Sequence, residues 1–184
     1  MTRPGAAAAT LALLLSAGAL VASPENQPYA GQEARDVSSL SPQDIDDLLA
    51  GRGWGFALPA ELNGYPGPLH VLEAADELKL TDAQRSAIEE IFERMNAAAR
   101  ALGRRFIDAE AALDAAFAER TITPEALAGL TGEAARIEAE LRAAHLAAHL
   151  EVTPLLTRHQ IATYNTLRGY GGAAAGGHSG HGGH

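Results

Sequence analysis

The sequence predicts an all-α protein in which one long antiparallel helical hairpin is flanked by short helices. Alanine supplies 40 of the 184 residues, whereas aromatic residues make up only 5% of the chain. This composition favours closely packed helices and lacks the aromatic and β-branched residues on which sheets depend. In addition, apolar residues recur at spacings of three and four in two consecutive segments, as expected for amphipathic helices.

Residues 1–22 have the pattern of a secretory signal peptide. Arg3 is followed by an uncharged apolar stretch that ends in small residues suited to cleavage after Ala22. An uncleaved membrane anchor is the alternative, but the stretch is shorter than the roughly 20 apolar residues that a span requires. We therefore predict export by a cleaved signal peptide, and an extended N-terminal segment over residues 23–40.

Short helices are predicted before the hairpin. Ser41 is followed by a proline and by acidic residues, which is typical of a helix N-terminus. Residues 51–68 are rich in glycine and proline, and we expect a loop with one helical turn, in which Trp54 and Phe56 are exposed. A second short helix is predicted over residues 68–78.

The first long helix begins at a capping box, Leu80-Thr81-x-x-Gln84. In such a box the threonine hydroxyl accepts from the N3 amide, while the glutamine reaches back to the threonine amide. The helix is predicted over residues 82–119. Its apolar residues follow a coiled-coil-like period; they are Ile88, Phe92, Met95, Ala99, Leu102, Phe106, Ala109 and Leu113.

The second long helix begins at Thr123, which is followed by a proline and an acid. The short break before it predicts an antiparallel hairpin. Its apolar residues again step by three and four, and they are Leu127, Leu130, Ala134, Ile137, Leu141, Ala144 and Ala148.

The C-terminal part of the chain contains a second capping box. Pro154 ends or kinks the second long helix, and Leu156-Thr157-x-x-Gln160 then opens a last helix. These elements complete a helical domain over residues 41–170. Residues 171–184 consist of Gly, Ala, Ser and His and are predicted to be a disordered tail.

Two L-T-x-x-Q boxes around a helical hairpin resemble the LTxxQ family of bacterial periplasmic proteins. That family includes the Spy and CpxP stress chaperones and related heavy-metal sensor and resistance proteins. The resemblance covers about residues 69–170, although Arg158 and His159 stand where proline and an acid are more usual. It implies a four-helix, cradle-like fold formed by an antiparallel homodimer. It also implies ATP-independent binding of unfolding proteins, or restraint of an envelope-stress sensor kinase or anti-sigma partner.

Several side chains are candidates for binding partly folded client proteins. Arg94, Arg100, Arg104 and Arg105 form a basic run without an intervening acid, which could attract acidic or unfolded clients. A solvated arginine face is the alternative. Three apolar residues fall off the helical stripes, so that a partner chain or client must cover them; they are Phe117, Leu146 and Leu150.

Composition and motifs exclude other classes of function. The net charge of −9 argues against nucleic-acid binding, which needs a basic face. The absence of cysteine excludes disulfides and thiolate metal sites. No nucleophile elbow, phosphate loop or dinucleotide fingerprint occurs, so we do not expect an enzyme.

Histidines provide candidate metal ligands at two places, although no cofactor is required for a chaperone. His178, His181 and His184 recur every third residue in the tail. His145 and His149 lie one turn apart on the second long helix, a spacing that lets two imidazoles chelate one ion of copper, nickel or zinc. The alternative is a tail without a role and a helical pair at the surface or a dimer interface. We therefore expect a periplasmic holdase with accessory metal binding, or else a metal sensor or resistance protein.

Overall fold

A computed structural model describes residues 28–170. Residues 28–33 form turns within a separate N-terminal unit, and the helices belong to a second unit that begins at Ala34. Within the described residues there is no strand, so the all-α prediction is confirmed. In chain order the helices are α1 (Pro42–Ala50), α2 (Leu58–Glu61), α3 (Pro68–Glu73), α4 (Asp82–Ala118), α5 (Pro124–Val152) and α6 (Arg158–Leu167), with a 3-10 turn (Thr153–Leu155) between the last two.

The α4–α5 hairpin is the scaffold of the second unit. Helix α4 has 37 residues and is therefore about 55 Å long at 1.5 Å per residue. Arg120, with a φ of 55°, turns the chain, and the Thr123 hydroxyl caps α5 by accepting from the Ala126 amide. Apolar residues at the predicted spacings meet between the two helices, and their buried members include Ala99, Ile137 and Leu141. None of the helices within residues 28–170 is long and apolar enough to cross a bilayer.

The middle of the hairpin is covered by α1 and the loop that follows it. The Ser41–Asp44 capping box begins α1, and Gly51 ends it at a φ of 71°. The expectation that Trp54 and Phe56 are exposed is wrong. Phe56 is buried and Trp54 is half-buried, since the Trp54 ring packs 5.8 Å from the Phe106 ring of α4 and its indole N–H donates to Asp44 at 2.7 Å.

The segment that precedes α1 also lies on α4. Val37 and Leu40 are buried in the same core as Leu48. The hydroxyls of Ser38 and Ser39 donate to Asp114 and Glu110 of α4 at 2.7 and 2.6 Å, respectively.

The base of the hairpin is closed by α3 and α6. Their buried side chains form a second core with the start of α4 and the end of α5. The prediction of a helix as far as Leu78 is wrong, because α3 ends at Glu73. The chain must reverse there to begin α4, and it does so through a turn in which Lys79 adopts a φ of 52°. The core at the base consists of Val71, Leu78, Ile88, Ile91, Ala148, Val152, Leu156 and Tyr164.

Candidate functional site

The two L-T-x-x-Q boxes meet at the base of the hairpin. In each box the threonine hydroxyl and the glutamine side chain cap the helix reciprocally. The Gln84 and Gln160 amides also donate to each other's carbonyl oxygens, both at 3.0 Å. Each amide nitrogen makes a further bond across the junction, from Gln84 to the Leu155 carbonyl at 2.8 Å and from Gln160 to the Leu78 carbonyl at 3.2 Å. The glutamines thus join the N-termini of α4 and α6 as well as capping them.

The helices and the segment at residues 51–68 line a cavity of about 520 Å³ that is open to solvent on one side. This volume lies within the range of small-molecule sites, roughly 300–1,000 Å³. Its walls combine aromatic and apolar side chains with two histidines of α5. Among the lining residues are Trp54, Phe92, Met95, His145, His149 and Tyr170.

Both histidines of the predicted metal pair are buried. His145 is 3% exposed and His149 is 4% exposed, so the alternative that places them at the surface is wrong. The His149 Nδ1–H donates to the Tyr65 carbonyl oxygen at 2.7 Å. Such a bond from one ring nitrogen fixes the orientation of the imidazole, as it does for histidine ligands in known metal sites.

His145 has no comparable partner among the described residues. Its Nε2 atom is buried and makes no hydrogen bond, and its ring lies 6.2 Å from that of Phe56. Burial, followed by repulsion from His149 when both rings are protonated, holds the pKa of His145 below its usual range. Because a buried polar atom without a partner costs about 1–3 kcal/mol, His145 is the side chain of the cavity that a ligand would satisfy.

A buried carboxylate lies beside the pair. Glu61 is 7% exposed, and the Tyr164 hydroxyl donates to it, with its two oxygens at 2.9 and 2.8 Å. Burial and the Glu61 charge raise the pKa of Tyr164. A Cβ atom on Gly67 would lie 2.9 Å from Glu61 Oε1 and 3.1 Å from His149 Nε2. Glycine at this position therefore keeps the space between carboxylate and imidazole open.

The described residues provide two imidazoles that line one cavity rather than a complete metal site. Within residues 28–170, no group of three His, Asp or Glu side chains is arranged to hold an ion. The predicted tail ligands His178, His181 and His184 lie outside the described residues. Sequence reasoning missed Glu61, Tyr65 and Tyr164, because they come from α2, the loop after it and α6, which periodicity does not connect to α5.

The four predicted arginines have two different surroundings. Arg94 pairs with Glu151 of α5 at 2.6 Å, and Arg105 lies 3.5 Å from Glu140 of the same helix. Arg100 and Arg104 are exposed and make no ion pair within residues 28–170. They therefore carry the net positive charge of this group.

The predicted apolar contact residues differ in exposure. Phe117 is 53% exposed and Leu150 is 63% exposed, whereas Leu146 is half-buried. Phe117 belongs to the end of the α4–α5 hairpin, which we call the hairpin tip and define as residues 108–133. No side chain of the tip is buried, although it contains Leu113, Phe117, Ile122, Leu127 and Leu130.

The fold and the paired boxes define an all-α helical-hairpin protein whose two repeated motifs close its base. Comparison with family models agrees, because residues 69–168 match the LTXXQ motif family protein model. The match covers more than half of the chain, and the protein belongs to the LTXXQ motif family. Searches of curated proteins and of solved structures returned no significant match.

Proposed function

We propose that this protein is a periplasmic, ATP-independent chaperone that holds partly folded proteins during envelope stress. The observation that carries the proposal is the hairpin tip, in which no side chain is buried and Phe117 and Leu127 are exposed. Monomeric proteins rarely expose contiguous apolar patches of more than a few hundred Å², and larger patches mark interaction sites. Phe117 and Leu127, at 53% and 39% exposure, supply apolar area that a client with exposed core residues can cover.

The tip has no buried side chain because α4 and α5 are the only helices that form it, although the segment before α1 bonds to it at Glu110 and Asp114. A helix buries one stripe against its neighbour, and a third layer is needed to cover the remainder. That layer exists at the middle of the hairpin, where α1 packs, and at the base, where α3 and α6 pack. No buried core residue comes from the tip.

Charge supports the same function. Arg100 and Arg104 are i,i+4 neighbours on the exposed side of α4. On a chain with a net charge of −9, they form a local positive site that can attract acidic segments of a client. Such attraction accelerates encounter more than it strengthens the final complex, which suits fast and reversible capture.

We also propose that two chains pair as a homodimer. A second copy would cover part of the exposed apolar surface, including Leu150 of α5. In this arrangement the tip and the arginines of each chain contribute to a shared client surface.

The test is light scattering of a heat-destabilised client protein, with the chaperone at stoichiometric amounts, chelator present and no ATP. We expect suppression of aggregation by the wild-type protein. Substituting Phe117 and Leu127 together by glutamine should weaken suppression several-fold, because the client loses apolar contact area. The matched control is Leu58→Gln, since Leu58 is equally exposed, at 57%, but lies outside the tip.

Two outcomes would refute the chaperone proposal. If the client protein aggregates to the same extent with and without the wild-type protein, the protein has no holdase activity. If the tip variant and Leu58→Gln lose the same amount of aggregation suppression, the tip is not the client-binding surface. Circular dichroism and light-scattering mass of each variant verify that folding and oligomeric state are retained.

The second candidate function is metal binding, as in a heavy-metal sensor or resistance protein. The observation that favours it is the buried Nε2 of His145, which has no partner among the described residues, next to a second imidazole whose Nδ1–H is bonded to the Tyr65 carbonyl oxygen. Neutral imidazoles suit copper, nickel and zinc. Calorimetric titration of the protein with Cu²⁺, Ni²⁺ and Zn²⁺ tests this function, and the absence of binding heat for all three ions would refute it.

A further inference from the structure

We infer that the cavity beside α5 binds a small organic cation, an ammonium group carried on an apolar or aromatic body. The inference goes beyond the client surface at the hairpin tip and requires no metal ion. Three features of the residues that line the cavity carry it. They are aromatic and apolar walls, a buried carboxylate that has no cationic partner in the described chain, and a buried imidazole with an unsatisfied nitrogen.

The walls of the cavity suit the apolar part of such a ligand. Trp54, Phe92 and Met95 are among the residues that line it. The Trp54 ring is held in place, because it packs 5.4 Å from the Phe56 ring and its indole N–H is hydrogen-bonded to Asp44. Aromatic rings attract cations that lie within about 6 Å of the ring centroid, and tryptophan does so most strongly. A fixed aromatic wall therefore favours an apolar body that carries a positive charge.

Glu61 provides the negative charge. This carboxylate lines the cavity and is 7% exposed, and the Tyr164 hydroxyl donates to it. No salt bridge within residues 28–170 includes Glu61. A carboxylate has about four acceptor positions, so the tyrosine leaves capacity for further donors. Because a buried charge without a counter-charge is costly, a cation in the cavity supplies an interaction that the described chain does not.

His145 provides an acceptor in the same cavity. The side chain is 3% exposed, and its Nε2 atom makes no hydrogen bond within the described residues. Burial holds the pKa of His145 below its usual range, so the ring is neutral at neutral pH and accepts at its unprotonated nitrogen. An alkylammonium group has three donors and can therefore bond to a carboxylate and to an imidazole at once.

The basic side chains around the cavity do not cancel the charge of Glu61. Arg52, His70 and Arg168 also line the cavity. Nearby carboxylates pair with the first two, at 2.5 and 2.9 Å, respectively, and both arginines are exposed. Solvent and salt screen exposed charges far more than buried ones, so Glu61 dominates the field inside. The net charge of −9 adds long-range attraction for cations.

The experiment compares three probes of similar shape and different charge. They are phenethylamine, which is a cation at neutral pH, the neutral phenethyl alcohol, and the anion phenylacetate. Binding to the full chain is followed by calorimetry and by the fluorescence of Trp54, the single tryptophan. Chelator is present throughout, so that metal ions take no part.

Three variants locate the binding. Glu61→Gln removes the charge with little change of shape, and His145→Asn removes the imidazole. Glu138→Gln is the matched control, because Glu138 is exposed on α5 and its substitution changes the net charge by the same amount. Circular dichroism verifies that each variant is folded.

We expect the wild-type protein to bind one phenethylamine per chain with a change in Trp54 fluorescence. The alcohol should bind at least about tenfold more weakly, because the amine forms charge-assisted bonds to Glu61. Phenylacetate should show no saturable binding. Glu61→Gln should lower the affinity for the amine by a similar factor and His145→Asn should lower it several-fold, whereas Glu138→Gln leaves it unchanged.

The contrary outcomes are equally definite. If amine and alcohol bind the wild-type protein with the same affinity, the cavity does not select a cation. If the amine binds without a change in Trp54 fluorescence, or if Glu61→Gln and Glu138→Gln weaken it equally, the cation binds the acidic surface instead. No saturable binding of the amine removes the site altogether. Should Glu61→Gln fail to fold, the comparison of the three probes on the wild-type protein decides the inference. Aggregation suppression and metal titration are measured separately, so this inference can fail without them.

Discussion

Substituting Gly103 by alanine tests the contact on which the middle of the fold depends. Gly103 is buried on α4 beneath α1. An added Cβ atom would lie 2.4 Å from the Leu48 carbonyl oxygen and 2.9 Å from its carbonyl carbon. Close C–H···O contacts occur at roughly 3.3 Å, so α1 would have to withdraw from α4 by about 1 Å. Leu48 itself is only 1% exposed, and its packing would be disturbed.

Two opposing effects decide the magnitude. Alanine is favoured over glycine in a helix interior by about 0.5–1 kcal/mol. Forcing an extra methyl group into a packed interface costs typically 1–3 kcal/mol, occasionally more. A gap of 0.5–1 Å also forfeits a quarter to a half of the dispersion attraction at each contact. We therefore expect Gly103→Ala to lower the free energy of unfolding by about 1–2 kcal/mol.

The assay is urea unfolding followed by far-UV circular dichroism. Gly129→Ala and Gly132→Ala are the matched controls, because both glycines lie in the interior of α5 and a Cβ atom there would meet nothing within 4 Å. They should raise the free energy of unfolding by about 0.5–1 kcal/mol, which appears as a higher urea concentration at the unfolding midpoint. If Gly103→Ala stabilises the protein as much as the controls do, the close approach of α1 to α4 is refuted.

Three further predictions concern polar groups. Gln84→Ala and Gln160→Ala should each destabilise the protein by about 1–3 kcal/mol, and the double variant by less than the sum, since either single change leaves the other amide unpaired. Tyr164→Phe removes the donor to buried Glu61 and should cost about 3 kcal/mol, at the upper end for hydrogen bonds to charged groups. The Ser41 hydroxyl, followed by the Trp54 indole, holds the pKa of Asp44 below 3.8, so Asp44 should contribute stability above that pH which is lost as the pH falls through its lower folded pKa.

Denaturant unfolding measures each of these effects, and for each prediction one outcome would contradict the reasoning. Additive costs in the Gln84 and Gln160 variants would contradict direct pairing across the junction. If Tyr164→Phe leaves the free energy of unfolding unchanged, Glu61 is satisfied without the tyrosine hydroxyl. For Asp44, the difference in unfolding free energy between wild type and Asp44→Asn should shrink as the pH falls below 3.8; a constant difference would contradict the assigned pKa shift.

Local signals were sufficient to predict most helix boundaries. The boxes at Thr81 and Thr157 begin α4 and α6 as predicted, because caps and turns are set by residues close in sequence. The predicted end of α3 at Leu78 was wrong, since Leu78 is buried at a chain reversal. Periodicity indicates that a leucine will be buried, but it does not show whether that leucine belongs to the end of a helix or to a chain reversal that packs against the core.

The functional surroundings of the histidines could not be predicted in the same way. Spacing alone placed His145 and His149 on one face of a helix, but their burial depends on a loop some 80 residues earlier in the chain. The carbonyl of Tyr65 orients one imidazole, and the glycine at Gly67 leaves room beside it. No local pattern relates these residues to α5, because their proximity follows from the closing of the base.

The sequence by itself determined that the chain forms a long helical hairpin with two capping boxes and belongs to the LTXXQ family. Such information is short-range: apolar period, cap and turn residues act within a few positions of one another. Only the tertiary structure decided that the loop around Trp54 covers the hairpin, that Gln84 and Gln160 join across the base, and that no side chain of the tip is buried. These features depend on which elements pack together, and packing brings together residues far apart in sequence according to shape and buried area rather than to any local pattern.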